Sequence, residues 1–149
     1  MAAISGGDLL EKKLREISER LDRGGTLKVG FLQGATASNG DSLPLRAAIN
    51  EYGVPSRNQP PRPFFRNMIA AKSGEWPEAI AYQLKATNYN VETTLTITGM
   101  AIRKQLQESI LDLMSPPLAP STVARKGSSK PLIEFGDMIR AADFEVNLT

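Results

Sequence analysis

The chain has 149 residues, enough for one compact domain with a single hydrophobic core, and its 41% apolar and 23% charged residues match an ordinary globular protein. It has no histidine and no cysteine, which removes disulfides, thiolate nucleophiles, Ser-His-Asp triads, the usual zinc sites and histidine pH switches together. The 18 basic and 16 acidic residues leave a net charge of +2, too small an excess to support nucleic-acid binding by itself.

The N-terminal residues MAAISGGDLLEKK lack a long apolar core preceded by positive charge, so no signal peptide is expected. From Asp8 to Arg23, Leu10, Leu14, Ile17 and Leu21 recur at spacings of four, three and four, which predicts a helix with one narrow, heptad-like apolar seam. Asp8 and Glu11 resemble a capping box, and Gly24-Gly25 supplies the stop, giving an N-terminal helical unit over 1–25. Its other faces mix Lys, Arg and Glu. Such a seam docks either on its own domain or on a neighbouring subunit.

Thr26 to Leu32 alternates and is rich in β-branched and aromatic residues, which predicts a strand. A polar, flexible loop with an Asn39-Gly40 turn follows. Pro44 to Tyr52 reads as a short helix with Leu45, Ala48, Ile49 and Tyr52 on one side, stopped at Gly53 in a left-handed cap. Residues 54–63 (VPSRNQPPRP) hold four prolines and two arginines and are expected to form an extended loop, pre-ordered for contact with a partner. Phe64 to Asn88 reads as helix, kinked or split at Gly74 and Pro77. Val91 to Met114 reads as a long helix through Leu95, Ile102, Leu106, Ile110 and Leu113, although its TTLTIT stretch has strand propensity. Residues 115–131 form a second proline-rich loop carrying Arg125, Lys126 and Lys130, before a short helix over Leu132–Ala141 and a strand over Ala142–Leu148. Two strands are too few for an independent sheet, so either a further strand or a neighbouring subunit should complete it.

The chemistry of catalysis is thinly represented. Asp8/Glu11 and Glu75/Glu78 are paired carboxylates, but each pair sits at a predicted helix start, where negative charge offsets the macrodipole. Gly6-Gly7 and Gly24-Gly25 lack the lysine and serine of a P-loop and the spacing of a dinucleotide fingerprint. No active site, cofactor or metal is expected, and the chain reads as a non-enzyme. No apolar run approaches the ~20 residues that span a bilayer, so a protein made in the cytoplasm without a membrane partner is expected. The basic residues Arg57, Arg62 and Arg66, then Arg125, Lys126 and Lys130, could serve either phosphate contact or pairing with acids on an adjacent subunit.

Two stretches carry a family pattern. One is Glu51-Tyr52-Gly53, a proline loop, then Pro61-Arg62-Pro63-Phe64-Phe65-Arg66. The other is Pro116-Pro117-Leu118-Ala119-Pro120-Ser121-Thr122, running through Arg125-Lys126-Gly127 to Pro131-Leu132-Ile133-Glu134-Phe135-Gly136-Asp137-Met138. Together they resemble the tail-completion, tail-terminator or neck (head–tail joining) proteins of long-tailed bacteriophages and their prophages. Ala119 stands where that family usually has serine, and Glu134-Phe135 where it usually has Asp-Thr. The resemblance implies an α+β fold with a small, mostly antiparallel sheet, flanking helices and long loops. It further implies a virion protein, assembled in the host cytoplasm, that forms a hexameric or dodecameric ring joining head to tail or ending the tail tube. Its partners would be copies of itself and neighbouring neck, connector or tail-tube proteins, with passing contact to genomic DNA in the channel. The interface residues expected on this reading are Tyr52, Arg57, Arg62, Pro63, Phe64, Pro117, Leu118, Arg125 and Lys126, with Gly53 and Gly136 as structural caps. The alternative is a DNA-binding or packaging accessory protein that uses the basic loops.

Overall fold

The computed structural model describes residues 6–113 and 130–149, with the backbone alone for 130–134. In chain order it has helix α1 (Gly7–Leu21), strand β1 (Gly25–Phe31), helices α2 (Leu43–Tyr52), α3 (Phe64–Lys72), α4 (Trp76–Ala86), α5 (Val91–Asp112) and α6 (Lys130–Ala141), and strand β2 (Ala142–Leu148). Single 3-10 turns occupy Pro55–Arg57 and Ser73–Glu75. The fold is α+β, as expected, with one small antiparallel sheet packed with helices.

The long helix α5 organises the rest. Thr94, Thr98, Ile102, Leu106 and Ile110 recur every fourth residue and are all buried, forming a spine that meets both strands, α3, α4 and α6. Its half-buried polar residues each hold one neighbouring helix. Gln105 accepts from Trp76 Nε1 of α4 at 2.9 Å, Gln107 donates to the Ile139 carbonyl of α6 at 2.9 Å, and Ser109 donates to the Phe64 carbonyl of α3 at 2.6 Å. The TTLTIT run is helical rather than extended: Thr94 and Thr98 are buried on the spine, and two of the run's hydroxyls bond carbonyls within the helix. Thr98 Oγ1 donates to the Thr94 carbonyl and Thr96 Oγ1 to the Glu92 carbonyl, both at 2.8 Å. Asn90 caps the start, accepting from the Thr93 N–H at 2.9 Å.

The strands pair antiparallel from Gly25 opposite Leu148 to Phe31 opposite Ala142. Leu27, Val29 and Phe31 turn toward the core. Among the described residues no third strand joins them. Packing against a helix supports the pair instead, which suffices for a small sheet. Gly99 makes that packing close: a β-carbon there would lie 2.7 Å from Phe144 Cγ and 2.9 Å from Leu27 Cδ1. Gly25 repeats the device from the sheet side, where a β-carbon would lie 2.6 Å from Leu95 Cδ1.

Several local expectations change. Asp8 lies in the first turn of α1 rather than at its cap, because the cap is a left-handed Gly6, two residues earlier, and no capping box forms. The loop before α2 is closed rather than loose: Asn39, Asp41 and Arg46 are linked by side-chain hydrogen bonds, with Arg46 on Asp41 at 2.6 Å. Helix α2 buries Leu43, Ala47 and Glu51 and turns the predicted apolar side outward, so Leu45 is 61% and Tyr52 66% exposed. Gly136 is no cap. It lies inside α6, which begins at Lys130 instead of Leu132 and runs on to Ala141. The Phe64–Asn88 helix splits at Ser73–Glu75, next to Gly74 and Pro77.

A Gly99→Ala variant tests the helix–sheet contact. Alanine improves helix propensity by about 1 kcal/mol, but Phe144 and Leu27 on two strands must both retreat, an overpacking cost of about 1–3 kcal/mol. Thermal denaturation should show a lower Tm; an unchanged or higher Tm would mean that the sheet has room to move.

Candidate functional site

The Glu51-Tyr52-Gly53 and Pro61-to-Arg66 stretches come together into one closed unit. Helix α2 ends at Gly53, whose N–H donates to the Ile49 carbonyl at 2.8 Å and whose backbone (φ 71, ψ 179) is in a region essentially reserved for glycine. The chain then makes the Pro55–Arg57 turn, which proline at the first helical position permits. Asn58 is left-handed, and Val54 and Gln59 bond to each other through both backbone groups. The expected extended loop over 54–63 is thus a loop folded back on its own helix. Arg62 N–H closes it on the Asn50 carbonyl at 2.6 Å.

The start of α3 shows why Glu51 is buried at 5% exposure. A helix N-terminus presents N–H groups without intrahelical partners. Pro63 (φ −78, ψ 67) has inverse γ-turn geometry, letting Phe64 N–H reach the Arg62 carbonyl at 2.8 Å. Glu51 accepts from the N–H groups of Phe65 at 2.9 Å and Arg66 at 3.1 Å. Arg66 Nε also donates to that carboxylate at 2.8 Å, and its Nη2 donates to the Glu51 carbonyl at 3.0 Å. The Arg66 guanidinium lies 5.1 Å from the centre of the Tyr52 ring. A carboxylate reaching across from α2 therefore caps α3, and negative charge there also opposes the helix dipole.

These contacts sort the expected interface residues. Phe64 is removed from the list: it is 1% exposed and sits edge-on to Phe31 in the core. Tyr52 is exposed, Arg57 is exposed, and Arg62 and Pro63 are half-buried. Neither Arg57 nor Arg62 has an ion-pair partner among the described residues, whereas Arg66 is held by Glu51. Pro117, Leu118, Arg125 and Lys126 lie outside the described residues, as does most of the expected loop over 115–131.

Helix α1 supplies a second surface. None of its residues is buried, and Leu10, Leu14 and Leu21 are 62%, 57% and 43% exposed. An open cleft of about 750 Å³ separates it from the α4–α5 turn, lined on its own side by Glu16, Glu19, Arg20 and Arg23. Arg20 Nη1 crosses this cleft to the Asn88 carbonyl at 2.8 Å. The helix thus turns its charged side toward its own body. Of the seam's four residues, the three leucines are left exposed and Ile17 is half-buried.

The paired acids of the sequence do not gather into a site: Glu11 pairs with Arg15 one turn along its own helix at 2.9 Å. Asp8 is exposed in the first turn of α1, and Glu75 and Glu78 are exposed around the start of α4. Among the described residues no group of three or more acids gathers to hold a metal, and no helix is long and apolar enough to cross a membrane. The buried Asp137 is tied to structure: it pairs with Arg140 and accepts from Ser38 N–H at 3.3 Å and Ser38 Oγ at 3.0 Å. Arg140, then Ser38, hold its pKa below the ordinary value of 3.8, against the opposing effect of burial. No protein-family model, curated protein or solved structure matches the chain.

Two substitutions test this geometry. Gly53→Val forces a β-branched residue into positive φ and places its β-carbon 2.6 Å from the Gln59 carbonyl oxygen, so Tm should fall by several degrees; an unchanged Tm would refute the tight turn. Asp137 has a depressed pKa in the fold, so its contribution is full above the unfolded value and is lost as pH falls through the folded one. Asp137→Asn should therefore lower Tm at about pH 7, with the gap to the parent narrowing below about pH 4. A gap independent of pH would exclude the charge as its source.

Proposed function

We propose that the chain is a structural assembly protein, a ring component of a phage neck or tail that joins head to tail or ends the tail tube. The observation that carries the assembly part is the inverted placement of α1, with charge toward its own body and leucines toward solvent. An amphipathic helix that served only its own domain would do the reverse. The phage part rests on the resemblance of the Glu51-Tyr52-Gly53, Pro61-to-Arg66 and Pro116-to-Met138 motifs to the tail-completion family.

The outward side of α2 adds to this reading. Leu45 and Tyr52 are exposed on it, and Arg57 and Arg62 lie on the loop that returns beside it. Ring closure needs two different patches on each subunit. Helix α1 and the α2–loop surface are two such patches on separate elements. For the DNA reading, Arg66 of the first basic loop is already held by Glu51, which leaves Arg57 and Arg62 of that loop for phosphate, while Arg125 and Lys126 of the second lie outside the described residues and Lys130 is described in its backbone alone. On the ring reading the chain is no enzyme and needs no cofactor.

Light scattering across a concentration series, alone and with tail or connector proteins, is the direct test. Oligomers are expected, and Arg62→Glu should weaken them while leaving Tm unchanged. A strict monomer under all these conditions would overturn the reading, and steep salt-dependent binding to duplex DNA would favour the accessory-protein alternative.

A further inference from the structure

We propose that Asn39 is a gated deamidation site, kept unreactive by the hairpin that carries it and released when that hairpin lets go of α6.

Asn39 is followed by Gly40, and a glycine nitrogen meets the least hindrance in attacking the preceding side chain because it carries no β-carbon. Both residues are exposed at the tip of a small hairpin before α2. Thr36 bridges Ser42, and Ala37 N–H donates to the Asp41 carbonyl at 2.8 Å, which leaves Ser38, Asn39 and Gly40 as a three-residue loop. Gly40 supplies the left-handed residue (φ 88) that such a loop uses.

Deamidation joins the Gly40 nitrogen to Asn39 Cγ, expels the side-chain nitrogen as ammonia and closes a cyclic imide. Water then opens the ring at either carbonyl, leaving aspartate or isoaspartate at position 39. Water is consumed, ammonia leaves, and nothing is oxidised or reduced. The fold holds each reacting group back. The Gly40 N–H must lose its proton to attack, and it is donated to the Ala37 carbonyl at 2.9 Å. The Asn39 amide is tied at both ends, Oδ1 accepting from Asp41 N–H at 3.1 Å and Nδ2 donating to Asp41 Oδ2 at 2.9 Å. Asp41 pairs with Arg46 at 2.6 Å and, as a carboxylate, has no proton to give the leaving nitrogen.

The gate lies in α6. Ser38 N–H and Oγ donate to Asp137 Oδ2 at 3.3 and 3.0 Å, and Asp137 is itself buried and paired with Arg140. Ala37 is buried and seats the base of the loop in the core. With the loop pinned on both sides, its reacting groups come free only when the hairpin opens locally. After the reaction the hairpin cannot close as before, because the Nδ2 donor is gone and a second carboxylate faces Asp41.

Mass spectrometry of the full chain, incubated in mildly alkaline buffer, tests the gate. The peptide containing Asn39 should gain the mass of NH2 exchanged for OH at least about tenfold more slowly in native buffer than in urea. Asp137→Ala should bring the native rate toward the rate in urea, and Ser38→Ala, at an exposed position, should raise it less. If Asp137→Ala fails to fold by circular dichroism, Ser38→Ala decides alone. Equal rates in buffer and in urea would overturn the protection. Folded variants that react no faster than the parent would overturn the gate, and a chain that forms no product at Asn39 even in urea would overturn the site.

Discussion

The clearance between α5 and the sheet at Gly99 is the constraint on which the rest of the molecule depends. The two strands come from opposite ends of the chain, and Gly25 is paired with Leu148 only after the whole fold has been traversed. Such a pair gains little from its own backbone bonds and must be held by packing. Gly99 lets the Phe144 ring settle directly on the helix, where Arg103 covers it at 5.5 Å and also lies 3.7 Å from Asp143. With the sheet seated, the same helix presents its spine to α3, α4 and α6, and its polar side chains hold each of them by one hydrogen bond. A side chain at Gly99 would therefore push on the sheet and, through α5, on every layer around it.

The second lock is the Glu51 carboxylate, and it changes what the motif residues mean. Glu51, Gly53, Pro63 and Arg66 are accounted for by one task, which is to end α2, fold the proline loop back and start α3 with its N–H groups satisfied. A resemblance built on these positions is then a resemblance in local fold. What the unit offers to other molecules lies on its rim, at Tyr52 and Arg57, where the side chains are exposed.

The sequence revealed elements better than it revealed their faces. Periodic leucines and isoleucines placed α1 and α5 within a few residues, and alternation placed both strands, because burial repeats with the geometry of each element. The outward rotation of α2 was not legible, since the deciding residue is a glutamate that hydrophobicity assigns to solvent. Its partners lie 14 and 15 positions further on, in a helix whose own local sequence offers no capping side chain. The helical TTLTIT run is ambiguous for a related reason: threonine has strand propensity, and the burial of Thr94 and Thr98 that overrides it depends on the rest of the fold. Gly136 reads as a cap because glycine near a helix usually marks its end, yet α6 continues for five further residues with Asp137 and Arg140 paired just beyond it.

The position of α1 connects stability to function. A 15-residue helix is marginal in water when it stands alone, and this one takes from its own body mainly one hydrogen bond across an open cleft. Its leucines gain their burial only when another surface covers them. On the proposed assembly, the free energy that orders α1 is drawn largely from association, and part of every contact it makes goes into ordering it. Such an interface binds less tightly than its apolar area suggests and closes only where copies are already held at high local concentration. A ring assembling on a preformed end of a particle provides that condition, whereas free subunits in dilute solution do not. The same leucine seam that would be a liability on an isolated monomer is therefore consistent with a subunit that assembles late and in place.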